Sequence, residues 1–228
     1  YNLTDTALAG HLLGSAALAE IGATAALYGL IMNFAFGMNN GLALTVSRCF
    51  GAGEREGIRR AVGWMVTLSA AVSIVLTTVS LLGRGALLQV LQVPAEVWDG
   101  AAAYLTVILL GIPLTMLYNM EAALLRAVGN SVTPLLFLLF SSVLNVGLDA
   151  AFMGPLGMGV RGAAVATVLA QGISAVLGAV YLVRSYPELH FTPAHLKKSA
   201  RRAVMNMFWA GMSMGLMSAI YNLGSVAL

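Results

Sequence analysis

The stretch AVGNSVTPLLFLLFSSVLNVGLDAAFMGPLGMGVRGAAVATVLAQGISAVLGAVYLV, residues 127–183, holds two charged side chains, Asp149 and Arg161. They bound two uncharged runs, Ala127–Leu148 and Gly162–Val183, each of 22 residues, with a Gly-rich loop between them. The hydrocarbon core of a bilayer is about 30 Å thick and needs roughly 20 apolar residues in a helix. Each run is therefore long enough to cross. Both are continuously apolar rather than alternating, which selects helices over the strands of a membrane barrel.

Outward from this pair the pattern repeats. Ile21–Ser47, Ala61–Gly83, Gly100–Met120 and Ala203–Leu228 are uncharged over 27, 23, 21 and 26 residues, and Tyr1 to about Leu13 reads as a partial first span. The order gives seven spans. Composition agrees: 59% of the 228 residues are hydrophobic, 9% are charged and the mean hydropathy is +0.87. A soluble domain carries about 25% charge because its surface faces water. An all-α integral membrane protein is predicted.

The net charge of +3 points to nucleic acid only until the charges are placed. Arg48, Arg55, Arg59 and Arg60 share one loop, Arg126 lies in the next but one, and Arg184, Lys197, Lys198, Arg201 and Arg202 lie in the one after that. These loops alternate along the chain, so they share a side, and they hold ten of the twelve basic residues. Arg84 and Arg161 fall opposite. By the positive-inside rule the ten mark the cytoplasm, which makes the chain a multi-pass protein of the cytoplasmic (inner or plasma) membrane. Its solvent there is lipid, and no nucleic-acid partner is expected. Cys49, the one cysteine, rules out an internal disulfide framework and a cysteine-based metal cluster.

The chain begins at Tyr1 and stops inside an apolar run at Leu228, and it is read as a fragment. Tyr1–Leu8 and Tyr221–Leu228 agree at five of eight positions. Both lie in outward-running spans separated by six others, as a parallel repeat of six helices requires. On this reading residues 1–184 form an N-terminal lobe, 185–202 a cytoplasmic inter-lobe loop, and 203–228 the first helix of a C-terminal lobe that is otherwise missing.

Several polar residues stand where lipid does not tolerate them. A carboxylate at the centre of a spanning helix costs roughly 2.5–3.5 kcal/mol on insertion scales, and faces protein or a water-filled cavity. Asp5 falls in the partial first span and Asp149 in the outer part of the fifth. Asn145 lies one turn before Asp149 on the same face, and Ser142 extends that stripe. In the sixth span Thr167, Gln171 and Ser174 form a second stripe, and the fourth offers Tyr104, Thr115 and Asn119. Such amides and hydroxyls serve equally as interhelical hydrogen-bond glue. A buried carboxylate without a basic partner takes a proton or holds a metal cation, and oxygen ligands suit a hard one. The expected ligand is H⁺ or Na⁺, with no cofactor and no other metal. Glu121 lies about one turn inside Arg126 and is expected to pair with it at the helix end or to snorkel to water. His11, Glu20 and Asp99 are read as interfacial.

Four segments carry a resemblance: YNLTDTALAGHLLGSAALAEIG (1–22), SRCFGAGE (47–54), LLRAVGNSVTP (124–134) and LNVGLDAAFMGPLGMGVRGAAVATVLAQ (144–171). Over essentially its whole length the chain resembles the multidrug and toxic compound extrusion (MATE) family. The resemblance implies one six-helix lobe of a twelve-helix transporter plus the first helix of the second lobe. In the branch with a first-lobe cation site, that site's positions match Asp5, Asn145, Asp149 and Thr167, with Tyr104 in the same network. Asn119, Gln171, Ser142 and Ser174 are candidates for polar cavity lining. Ala150 departs from the family's frequent Pro after the Asp.

The function expected is that of a secondary antiporter, not an enzyme, exporting cationic or amphipathic drugs in exchange for Na⁺ or H⁺. The alternatives are a lipid-linked oligosaccharide flippase of related fold, which calls for basic residues in the cavity, and a non-transporting membrane scaffold. No nucleophile–base pair, His cluster or metal-ligand spacing supports an enzyme.

Overall fold

The computed structural model describes residues 2–197 and 199–226, with side chains described from Thr6 to Asn222 apart from Lys198. The helices are α1 (Asn2–Leu13), α2 (Ser15–Gly51), α3 (Arg55–Leu82), α4 (Arg84–Val90), α5 (Trp98–Leu110), α6 (Ile112–Ala127), α7 (Val132–Met153), α8 (Val160–Ser185), α9 (Pro193–Lys197) and α10 (Arg201–Val226). Among the described residues there is no strand. Ser15–Gly51, Arg55–Leu82, Ala95–Ala127, Val132–Met153, Val160–Ser185 and Arg201–Asn222 are each long and apolar enough to cross a membrane.

The distribution of side chains is inverted relative to a protein in water. On α7 the exposed residues include Leu135, Leu136, Leu139, Phe140 and Val143, while Ser141, Asn145 and Asp149 are buried. Helix α8 likewise exposes Ile173, Val176 and Val180 and buries Thr167, Gln171 and Ser174. An amphipathic helix of a soluble protein turns its apolar stripe inward. An apolar exterior this extensive is at rest only in hydrocarbon, where lipid contacts the Leu and Val side chains and the polar groups find partners within the bundle. The chain is a multi-pass membrane protein.

The fourth predicted span is broken. Helix α5 ends at Leu110, and α6 begins at Ile112 with Pro113 in its first turn. The proline ring removes the amide that would bond the preceding turn and clashes with its carbonyl, so the helix cannot run through. Gly111 closes the joint by donating to Val107 O and Ile108 O, each at 3.0 Å. Val168 of α8 packs where a Gly111 Cβ would stand. The short α4, at the end opposite most of the basic residues, has no counterpart among the predicted spans.

Helices α7 and α8 run antiparallel and pack along their lengths. The loop Gly154–Gly159 turns them, with Gly157 at φ 60° and Gly159 at φ 59°, a left-handed backbone that only glycine adopts without strain. At the start of α8, Gly162, Ala163, Ala164 and Ala166 are all buried, and Gly162 sits against the Phe152 backbone. Helix α7 continues through Ala150 to Met153.

The longest helix, α2, has 37 residues and a length of about 55 Å, so it overshoots the bilayer core. Along one face it carries Gly37 and Gly41, which meet α10 at Met214, Ser218, Ala210 and Gly211. Met38, Leu42, Met65, Leu105, Leu109, Met116 and Leu125 form the centre of the main core, where α2, α3, α5 and α6 converge. A second cluster joins Ala9 of α1, Ala17, Ile21 and Tyr28 of α2, Tyr104 and Ile108 of α5, Met153 of α7, and Val160, Ala163 and Ala164 of α8.

Candidate functional site

Between α7 and α8 runs a seam of polar side chains that the apolar exterior hides. On α7 it comprises Ser141, Asn145 and Asp149, with 0%, 1% and 0% of their surface exposed. On α8 it comprises Thr167, Gln171 and Ser174, at 0%, 1% and 1%. Spacings of three and four residues place every member one turn from the next on its helix.

Two bonds knit the seam across helices. Asn145 Nδ2 donates to Thr167 Oγ1 at 3.3 Å. Thr115 Oγ1 of α6 donates to Gln171 Oε1 at 2.6 Å. Asn119 joins through its own turn, donating from Nδ2 to Thr115 O at 2.8 Å. The break at Gly111–Pro113 sets the start of α6, whose face brings Thr115 to Gln171. Tyr104 is 1% exposed and belongs to the cluster that includes Met153 and Val160, beside the end of the seam where Asp149 lies. Of the sequence-predicted site residues, Asn145 and Thr167 are bonded to each other, Gln171 and Asn119 are both bonded to Thr115, and Asp149 stands one turn from Asn145. Ser142 is only half-buried, and Ser141 holds the buried place assigned to it. The Asp5 side chain lies outside the described residues. Its helix, α1, packs on α2, α7 and α8.

The seam has unspent bonding capacity. Asn145 Oδ1, Gln171 Nε2, Ser141 Oγ and Ser174 Oγ are buried without a hydrogen-bond partner among the described residues. Leaving a buried polar atom unmet costs about 1–3 kcal/mol, so such atoms mark places for water or a ligand. Asn145 Oδ1 and the Thr167 hydroxyl offer oxygen atoms one turn from the buried Asp149 carboxyl, donors of the kind that suits a small hard cation or a proton. Among the described residues no group of three or more His, Cys, Asp or Glu side chains is placed to hold a metal ion.

Several side chains are buried where the sequence alone does not place them, and three of these bear on the polar interior. Asn39 of α2, fully buried, donates to Ala35 O at 2.9 Å and to Met116 O at 3.4 Å, and accepts from Ser69 Oγ at 3.0 Å. Ser141 is the second. The third is Glu121, 4% exposed, which lies against Gly178 of α8 and leaves Oε1 without a hydrogen-bond partner among the described residues. The expected pairing of Glu121 with Arg126, or its snorkelling to water, is not what forms. Arg126 turns to α2, where Nη2 donates to Asn40 Oδ1 at 3.1 Å and the guanidinium lies 5.4 Å from the Phe36 ring centroid. Asn39 carried a signal, as an amide inside the longest apolar run. His11 and Asp99 are exposed and Glu20 is half-buried.

The family model MatE matches residues 1–151. Probable multidrug resistance protein YpnP of Bacillus subtilis (strain 168) is 28% identical over 233 residues, covering 98% of this chain and 52% of that protein. The crystal structure of MATE in the bent conformation matches with a TM-score of 0.85 at 27% identity, over 98% of this chain and 49% of that one. An inward-facing multidrug resistance MATE family transporter of the MOP superfamily has a TM-score of 0.89 at 24% identity, over 97% and 50%, a likeness of fold. The chain spans about half the length of the curated relatives and solved structures it matches most fully.

Proposed function

The chain belongs to the MatE family, and from that premise we propose that it forms the cation-coupling half of an exporter that exchanges H⁺ or Na⁺ for cationic or amphipathic toxic compounds across the plasma membrane. The observation that carries this reading is Asp149, a carboxyl with 0% exposure beside the Asn145–Thr167 bond in a helix pair whose outer faces are apolar. Asn145, Asp149 and Thr167 would hold the cation, with Tyr104 and Asp5 completing the network from α5 and α1. Residues 1–184 would act as one lobe, 185–202 as the connection, and 203–228 as the start of the partner lobe. The protein would work as a transporter, not an enzyme.

Coupling follows from differential affinity. A cation that binds one arrangement of the lobes more tightly than the other shifts the population between them, and the substrate, with the opposite preference, rides on that shift. A flippase for lipid-linked oligosaccharides would offer buried basic side chains to its phosphates. Among the described buried polar residues there is no Lys or Arg.

The test is Asp149→Asn in the full-length protein that contains this chain, reconstituted in vesicles and supplied with ethidium and a cation gradient. The amide keeps the size and hydrogen bonding of the acid but cannot exchange a proton near neutral pH or give Na⁺ a full negative charge. Gradient-driven efflux is expected to vanish at matched protein levels, with Asp5→Asn also impaired. An aspartate serving only as packing glue is well replaced by Asn. Wild-type efflux with unchanged gradient dependence would remove Asp149 from the coupling site.

A further inference from the structure

We propose that Glu121 is a second proton-binding carboxyl of this bundle, linked to Asp149 through the α7–α8 seam and opening toward the basic end. The inference rests on the coupling role proposed for Asp149 and names the path by which its proton leaves.

The geometry is cumulative. Asp149 stands near the end of α7 that adjoins Arg161, and Glu121 stands near the end of α6 that adjoins Arg126. Between them the buried polar side chains descend α8 in single-turn steps, from Thr167, bonded to Asn145, to Gln171 and Ser174, and Gly178, one turn further on, makes room for Glu121. About 16 Å of helix rise separates Thr167 from Gly178. Ser174 and Glu121 also line one small cavity of about 10 Å³, with Tyr118, Pro134 and Phe137. That volume is at the threshold for a single water. The Ser174 hydroxyl and Glu121 Oε1 are both without a hydrogen-bond partner among the described residues, so a water there would have two polar groups to bridge.

On its other side Glu121 lines a wider cleft of about 490 Å³ between α3, α6, α8 and the segment after α8, with Val66, Leu124, Leu182, His190 and Phe191 on its walls. One carboxyl thus borders both the closed seam and the open cleft. An acid buried without a cation holds a proton or waits for one. Arg126, the basic residue nearest in sequence, is engaged on α2. The titratable groups facing Glu121 are Tyr118 from its own helix and His190 across the cleft, whose Nε2 lies 2.8 Å from Val183 O. From α7 and α3 it meets only apolar side chains.

The transfer balances as a relay. A proton leaving Asp149 is passed by hydroxyl groups and intervening water, each accepting one proton and releasing its own. Glu121 accepts the last and yields it to water in the cleft, so each hydroxyl ends as it began. Gln171 does not carry the charge; Thr115 holds it so that it orients the line. The path commits the coupling ion to H⁺.

The experiment uses the full-length protein in vesicles, with ethidium efflux driven by a proton gradient and ethidium binding measured separately. Glu121→Gln is expected to slow efflux by at least about tenfold, to flatten its dependence on pH at the basic side, and to leave ethidium affinity unchanged. Ser174→Ala, which removes one hydroxyl from the line and little volume, is expected to slow efflux in the same sense and decides the matter if E121Q does not fold. Tyr118→Phe and His190→Gln are expected to keep the wild-type pH profile. Wild-type efflux with an unmoved pH profile in E121Q, or in S174A where E121Q does not fold, overturns the proposal, as does loss of the pH dependence in H190Q alone. Asp149→Asn in the same vesicles separates the two readings. If D149N is inactive while E121Q exports normally, only the relay has failed. If D149N exports normally, the coupling-site reading and the relay fall together.

Discussion

At the scale of single residues, polar groups in this bundle are arranged by what lies across from them. Asn39 illustrates the energetics. It is fully buried, and its amide meets α6 through Met116 O and α3 through Ser69. Removing one partner strands the other, which costs the full desolvation penalty, whereas removing both is nearly neutral. Asn39→Leu is expected to lower stability by about 1–3 kcal/mol. Ser69→Ala should cost less, because Asn39 keeps its bonds to backbone carbonyls. The double variant should be more stable than the sum of the two losses predicts, since the residues are in contact. Scanning fluorimetry of the four proteins in one detergent checks this, and strict additivity would mean the Asn39–Ser69 bond carries no energy. The seam of α7 and α8 obeys the same rule. Its i,i+4 polar spacing was legible in the sequence, because a stripe of Asn, Asp, Thr and Gln in apolar runs has no other reason to be periodic.

At the scale of elements, two joints shape the bundle. The first is the break in the fourth span, a consequence of Pro113, which divides one membrane crossing into α5 and α6. The second is the crossing of α2 and α10. Gly37 and Gly41 on α2, and Gly211 and Gly215 on α10, are spaced four apart and lie on the facing surfaces. Without a hydrophobic drive between helices in lipid, close backbone approach is what supplies the van der Waals attraction. A Cβ on Gly41 would stand 2.8 Å from Gly211 Cα, so Gly41→Ala is expected to destabilise by about 1–3 kcal/mol through overpacking. Gly22 of the same helix has nothing within 4 Å of such a Cβ. Gly22→Ala is expected to be neutral or to stabilise by up to about 1 kcal/mol through helix propensity. Thermal unfolding of the pair measures the contrast, and equal midpoints would show that the crossing is looser than the geometry implies.

At the scale of the whole molecule, the ends of the bundle differ in charge while its flanks are apolar. The basic end is also tied down. His195 Nε2 lies 3.6 Å from Glu56 Oε2, and Phe191 and Leu196 rest on Gly63 of α3. The charge asymmetry sets an expected orientation. With Cys49 replaced, single cysteines at the exposed positions Arg55 and Arg201 are expected to react with an impermeant maleimide only after the membrane is opened. Cysteines at Arg84 and Arg161, exposed at the other end, are expected to react in intact cells. The reverse pattern would invert the assignment, and with it the side on which the Glu121 cleft opens.

Hydropathy and charge placement alone determined that this chain crosses the membrane repeatedly and that its polar residues must turn inward. Those are properties of transfer between water and hydrocarbon, and each residue carries its own share of them. The Asn145–Asp149 and Thr167–Gln171 stripes followed too, since helical period is local. What only the tertiary structure decided was which side chains meet. Ser141 rather than Ser142 is the buried hydroxyl of α7, because packing on α8 fixes the rotation of the helix more finely than a polar stripe can. Glu121 looked like a helix-end partner of Arg126, yet Asn40 and Phe36 on α2 claim the arginine and Gly178 on α8 makes room for the acid. Those neighbours are remote in sequence, and the balance between burying a carboxyl and leaving it in water was settled by the packing of three helices.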